Sequence, residues 1–183
     1  MRLRIASVLF LFALAGCRNP DLRPSRPFPG PDATSYVAPD GSTWLLHEVE
    51  RPTEGMYQGG YRISFTPAMV AKHAEIEVLT FGYWKENFAA DELRKRFELM
   101  VKRDGAELTY AVDGTADDSF YTLAAVARKE RSMQRSVRRG SGYCLVAYSR
   151  FHEVEGLKPL SYWEKVLRDW PDKSLEPAPG AVH

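Results

Sequence analysis

Residues 132–151, "SMQRSVRRGSGYCLVAYSRF", decide how this chain folds. The first arm alternates, with Met133 and Val137 set among Arg131, Arg135 and Arg139 at every second position. The second arm, from Tyr143 to Tyr148, is almost wholly apolar. Between them Gly140, Ser141 and Gly142 mark a turn. Side chains on a strand point alternately to opposite faces, so a period of two followed by a glycine turn reads as two strands folded back on each other. On that reading Lys129, Arg131, Arg135 and Arg139 share one face, and Cys144 lies inside a strand as a small buried hydrophobe.

The same pattern extends upstream. "ELTYAVD" (107–113) and "SFYTLAAVARKE" (119–130) read as two more strands. Ala, Lys and Glu in the second favour helix, but its place between strands with short turns favours strand. "TWLLHEVE" (43–50) and "YRISFTP" (61–67) are strands joined through the glycine-rich "TEGMYQGG". In "AEIEVLTFGYWKE" (74–86), Glu75 and Glu77 alternate with Ile76 and Val78, as on a half-buried strand.

Two segments have a helical period instead. "NFAADELRKRFELMVKRDG" (87–105) repeats Ala90, Leu93, Phe97, Met100 and Val101 along one face. Its acids come early, its bases late, and Gly105 ends it. "LSYWEKVLRDWP" (160–171) carries the stripe Trp163, Val166, Leu167 and Trp170 before Pro171. Ser161 and Glu164 form a capping-box pattern at its start. The expected order is β-β-β-α-β-β-β-β-α, an α+β domain over residues 40–171 with a mostly antiparallel sheet and two main helices. This element order, the long strand "GYCLVAYSRF" and the terminal helix ending at Trp170-Pro171 resemble the PsbP-like group, which includes DcrB-type envelope lipoproteins. The resemblance implies a domain that binds and assembles rather than one that catalyses.

The N-terminus points to location. Arg2 and Arg4 precede twelve uncharged residues, 5–16, too short for a membrane-spanning helix and suited to a signal peptide. Leu14-Ala15-Gly16-Cys17 then resembles the bacterial lipobox. That resemblance implies cleavage between Gly16 and Cys17, lipidation of Cys17 and usually acylation of the new amino terminus, which would include palmitate. Two or three chains would hold the protein at a membrane without a spanning helix. Prolines at 20, 24, 27, 29, 31 and 39 make residues 17–39 read as an extended tether, and residues 172–183 as a flexible tail. Arg18, where an Asp would favour inner-membrane retention, favours the outer membrane facing the periplasm.

Charge and cysteine count narrow the function classes. Removing residues 1–16 takes away Arg2 and Arg4 and leaves 23 basic against 24 acidic side chains. Such a balance argues against nucleic-acid binding. One cysteine remains besides Cys17, so no internal disulfide can form. "HEVE" occurs at 47–50 and 152–155, but on a strand neighbouring His and Glu diverge, and H-E-x-x-H is absent. His73 and His183 have no partner spacing, so neither metal nor cofactor is expected.

"RGSGY" is a turn and not a nucleophile elbow, and "EGMYQGG" lacks the lysine of a phosphate loop. Asp117 and Asp118 sit in a polar loop, where solvation competes with acid–base work. No enzyme is expected. The expected role is binding or assembling another envelope or secretion component. The alternatives are a periplasmic immunity or inhibitor lipoprotein, or a cell-wall or lipid hydrolase. The expected binding surface comprises Arg131, Arg135 and Arg139, whose guanidinium forks suit carboxylate or phosphate, with Tyr57 and Tyr61 beside a glycine turn.

Overall fold

A computed structural model describes residues 28–51, 60–68, 76–84, 108–125, 129–152 and 155–177, together with Lys95, Glu98 and Leu99. Among them are eight strands: β1 (Ser35–Val37), β2 (Thr43–Glu50), β3 (Tyr61–Pro67), β4 (Glu77–Trp84), β5 (Leu108–Gly114), β6 (Asp118–Ala125), β7 (Glu130–Arg139) and β8 (Gly142–Arg150). They form one antiparallel sheet in the order β1-β2-β3-β4-β8-β7-β6-β5. One helix, α1 (Leu160–Arg168), and a 3-10 turn (Asp172–Ser174) follow.

The β7–β8 hairpin forms as its sequence dictates. Arg139 pairs with Gly142 across a two-residue turn, and the ladder continues to Arg131 opposite Arg150. Gly140 takes φ +58° at the first turn position, a conformation in which a Cβ is strained. Gly142 meets a second constraint, because a Cβ there would run into the Tyr83 ring and the Trp84 carbonyl.

Alternation puts Ile63, Phe65, Leu79, Phe81, Cys144, Val146, Tyr148, Met133 and Val137 on one face, all buried. α1 lays Trp163 and Leu167 on that face, and Trp170 and Leu175 extend the cover. Trp163 stacks on Tyr148 with ring centres 4.5 Å apart, and Trp44 meets it edge-on at 5.5 Å. Each large aromatic buried this way contributes about 1.5–3 kcal/mol by removing apolar surface from water. The opposite face carries a second cluster of Trp84, Tyr143 and Leu145. On β7 that face is polar but internally bonded: Tyr121 donates to Gln134 (2.9 Å), and Gln134 donates to Ser136 (2.8 Å).

The α+β expectation with two main helices is corrected: the described residues make a mainly β protein, one eight-stranded sheet with a single helix. The period-2 segments pair edge to edge into one wide sheet, and the only described helix is nine residues long. The segment expected as the first helix lies outside the described residues apart from Lys95, Glu98 and Leu99, which are helical and exposed.

The boundaries change too. Residues 28–39 are not tether: Phe28, Tyr36 and Ala38 are 2% exposed, and Phe28 packs edge-on against Phe81 at 5.4 Å. Tyr36 belongs to β1, which adds an eighth strand beside β2. Proline density suggested an extended spacer there, but an extended chain with an aromatic at every few residues also suits a sheet edge. Residues 172–175 are not a free tail either, since Ser174 and Leu175 are buried. α1 begins two residues earlier than a Ser161 cap requires. Pro159 is its N-cap, no side chain caps it, and Glu164 instead accepts from Arg168 Nε at 3.0 Å.

Candidate functional site

Arg131, Arg135 and Arg139 of the "RSMQRSVRR" arm do share a face of β7 with buried Met133 and Val137, while Arg138 lies on the other face. Their surroundings separate them. Arg135 is enclosed, with 11% of its side chain exposed. Its Nε and Nη2 donate to the two carboxylate oxygens of Asp118 at 3.0 and 2.7 Å, and Nη2 also reaches Asp172 at 3.0 Å. Nη1 donates to the carbonyls of Trp170 (2.8 Å) and Arg168 (3.2 Å). Arg168 is the last residue of α1 and Trp170 lies two residues past it, so one guanidinium caps the helix end and ties it to the β6–β7 hairpin. The hydrogen bonds it donates to Asp118, against the pull of burial, hold the Arg135 pKa above its usual value. Arg139 joins this clamp, donating to the Asp172 carbonyl at 3.0 Å.

Arg131 is different. Its Nη1 donates to the carbonyl of its neighbour Glu130 at 3.3 Å, and among the described residues no carboxylate lies within 4 Å of it. The other six arginines of the described strands and α1 (Arg62, Arg135, Arg138, Arg139, Arg150 and Arg168) each have one.

Arg131 lines a cleft of about 370 Å³ between α1 and the β5–β7 end of the sheet. The floor consists of two cross-strand rows, Thr109–Ala124–Arg131 and Ala111–Thr122–Met133. Leu160 and Glu164 of α1 form the wall. The space follows from the sequence. α1 packs over β7 and β8, and in the two rows at the cleft β5 and β6 carry alanine and threonine, too small to fill the gap. α1 also starts at this cleft without an acidic residue in its first turn, so the positive end of its dipole is left uncompensated there.

The remaining candidates fall into place around these two arginines. Tyr61 is buried and donates to the Pro29 carbonyl at 3.0 Å, tying residues 28–30 to the core and forming no binding surface. Burial, with the Cys144 thiol nearby, pushes the Tyr61 hydroxyl pKa well up. Tyr57, Cys17 and the Gly16–Cys17 cleavage point lie outside the described residues, as do His73 and His183. Asp117 and Asp118 answer Arg138 (3.2 Å) and Arg135, so they serve separate ion pairs. Cys144 is fully buried, and burial pushes its thiol pKa up to about 12, far from a reactive thiolate. His47 and His152 are exposed, and among the described residues no three His, Cys, Asp or Glu side chains converge on a metal position.

Sequence reasoning missed a buried polar centre at the other end of the hairpin. Glu77 of β4 pairs across the ladder with Arg150 of β8. Tyr148 donates to Glu77 and accepts from Arg150 Nε at 2.9 Å, and Arg150 Nη2 reaches Glu77 at 3.3 Å and also the Lys158 carbonyl. Arg150 is 2% exposed and Tyr148 fully buried. Burial first, then the bond to Glu77, raises the Tyr148 pKa. Only the charged residues inside apolar strands hinted at this pairing.

No protein-family model matches the chain, and no curated protein or solved structure matches it. No described helix is long and apolar enough to cross a membrane.

Proposed function

We propose that this chain is a non-catalytic lipoprotein of the bacterial cell envelope, held at the membrane by lipid on Cys17, whose β domain binds another envelope or secretion component. The observation that carries the reading is the N-terminal layout: two arginines, twelve uncharged residues, then Leu14-Ala15-Gly16-Cys17. Phe28, the first described residue, is already packed in the core, which supports a short-range role. Ten residues, 18–27, separate that side chain from Cys17, a reach of at most about 36 Å. A partner would then lie close to the same membrane, which on the sorting reading is the outer membrane seen from the periplasm.

The experiment is metabolic labelling with an alkyne fatty acid, followed by mass spectrometry of the mature amino terminus and crosslinking in cells. The expected result is lipid on an N-terminal Cys17, loss of label in Cys17→Ser, and a discrete crosslinked protein that depends on the anchor. A mature chain that keeps residues 1–16, or starts elsewhere without lipid, would overturn the anchor. A captured hydrolase or toxin whose activity falls on binding would assign the inhibitor role.

A further inference from the structure

We propose that the cleft between α1 and β5–β7 binds a carboxylate carried on a short apolar body, with Arg131 as its counter-ion. This deepens the binding role proposed above, and rests on it only for what supplies the carboxylate.

Three observations converge. Arg131 is a half-buried cation with no carboxylate within 4 Å among the described residues, in a fold where the other strand and helix arginines are matched. A guanidinium presents parallel N–H donors whose spacing fits the two oxygens of a carboxylate. The floor and wall beside it are apolar or methyl-bearing, through Met133, Leu160, Ala111 and Ala124, and the volume of about 370 Å³ lies in the range of small-ligand sites.

Glu164 sets the charge of the ligand. It stands on the α1 wall, already bonded to Arg168, and adds a negative charge to the same space. A dianion such as a phosphate monoester would meet one cation and one opposing carboxylate. A monoanion with an apolar tail keeps its head at Arg131 and lays its tail along the alanines. The carboxylate could come from a free short-chain acid or from the C-terminus of a partner's polypeptide.

The full chain as purified from cells, labelled at alanine methyls and arginine nitrogens, is titrated with hexanoate and separately with acetyl-Ala-Leu-Ala bearing a free carboxylate. Hexanol and the peptide amide serve as uncharged controls. Saturable shifts at Ala111, Ala124 and Arg131 Nε are expected, with the uncharged forms at least about ten-fold weaker. Arg131→Gln should abolish the preference for charge, Arg131→Lys should keep part of it, and Ala124→Leu should block the cleft with Arg131 intact. Response to the peptide alone assigns the partner's chain as the source. Response to hexanoate alone assigns a free acid, and response to both assigns the carboxylate whatever carries it. No shift in the cleft at millimolar ligand, or equal binding of the uncharged forms, overturns the proposal. Because this titration needs neither lipid nor partner, a failed anchor or a failed crosslink leaves its result standing.

Discussion

Arg131 and Arg135 lie four residues apart on the same face of β7, and they end in opposite circumstances. Arg135 spends every nitrogen on the protein itself: Asp118 from the neighbouring strand, Asp172 from the C-terminal turn, and the carbonyls of Arg168 at the end of α1 and of Trp170 just past it. Arg131 has one long bond to an adjacent carbonyl and faces open space. The difference arises from what stands opposite each. Arg135 faces the end of α1 and the segment returning after it, where unpaired carbonyls and Asp172 collect. Arg131 faces the start of α1 and the alanine and threonine rows of β5 and β6, where among the described residues no carboxylate comes within 4 Å of it. A run of arginines is therefore not one surface. The same residue type on the same strand is structural where the fold brings acceptors to it and available where it does not.

Alkaline pH is expected to have the largest effect, and it separates the buried neutral acids, which titrate, from the arginine clamps, which do not. Arginine stays charged throughout the accessible range. The buried acids do not stay neutral. Cys144 is raised from 9.0 to about 12, and Tyr61 and Tyr148 are raised above their ordinary 10.0. A folded pKa above the unfolded value gives stability that is complete below the unfolded pKa and is lost as pH rises through the folded one. Melting temperature should therefore be independent of these groups up to about pH 9 and then decline through about pH 12. Cys144→Ala should move the onset upward. A decline that begins well below pH 9 would mean that a group other than these three governs alkaline unfolding, since the arginine–carboxylate pairs keep their charges there.

Among substitutions, Arg150→Ala should cost most. It strands Glu77 without its cation in the apolar interior, and breaking a buried pair costs about 3–5 kcal/mol in chemical denaturation. Arg135→Gln comes next, at about 2–3 kcal/mol, because charge-assisted bonds to Asp118 and to the α1 carbonyls go together. Proteolysis should then cut near residues 169–175 sooner than in the native chain. Arg131→Gln should change stability by no more than about 0.5 kcal/mol, as for a side chain that holds nothing in place. Equal losses from Arg131→Gln and Arg135→Gln would dissolve the contrast between them.

The sequence made some of this readable and hid the rest for physical reasons. Strands such as Thr43–Glu50 and Tyr61–Pro67 stand where alternation and glycine turns place them, because both signals are local. β1 is three residues long among prolines, and its pairing with Thr43, Trp44 and Leu45 is a tertiary fact with no local period. Fold class is hard to read locally for a related reason: residues 87–105 carry a clear helical period, yet the described residues are dominated by one sheet. That Arg131, Arg135 and Arg139 share a face was legible from a period of two. Which of them is matched was not, because Asp172 lies 37 residues beyond Arg135 and is brought back only by α1 and the turn after it. The cleft was equally hidden, since it is a product of small side chains in β5 and β6 lying beyond the end of a helix's cover.

The most direct test of the contrast is a single spectrum of the arginine Nε–H groups, with solvent exchange measured for each. Arg135 and Arg150, whose Nε–H protons are bonded to Asp118 and Tyr148, should exchange slowly, and Arg131 should exchange fast in the free protein and slow down when hexanoate is added. An Arg131 Nε–H as protected as that of Arg135 before any ligand is present would contradict the account, because that cation would already be in use.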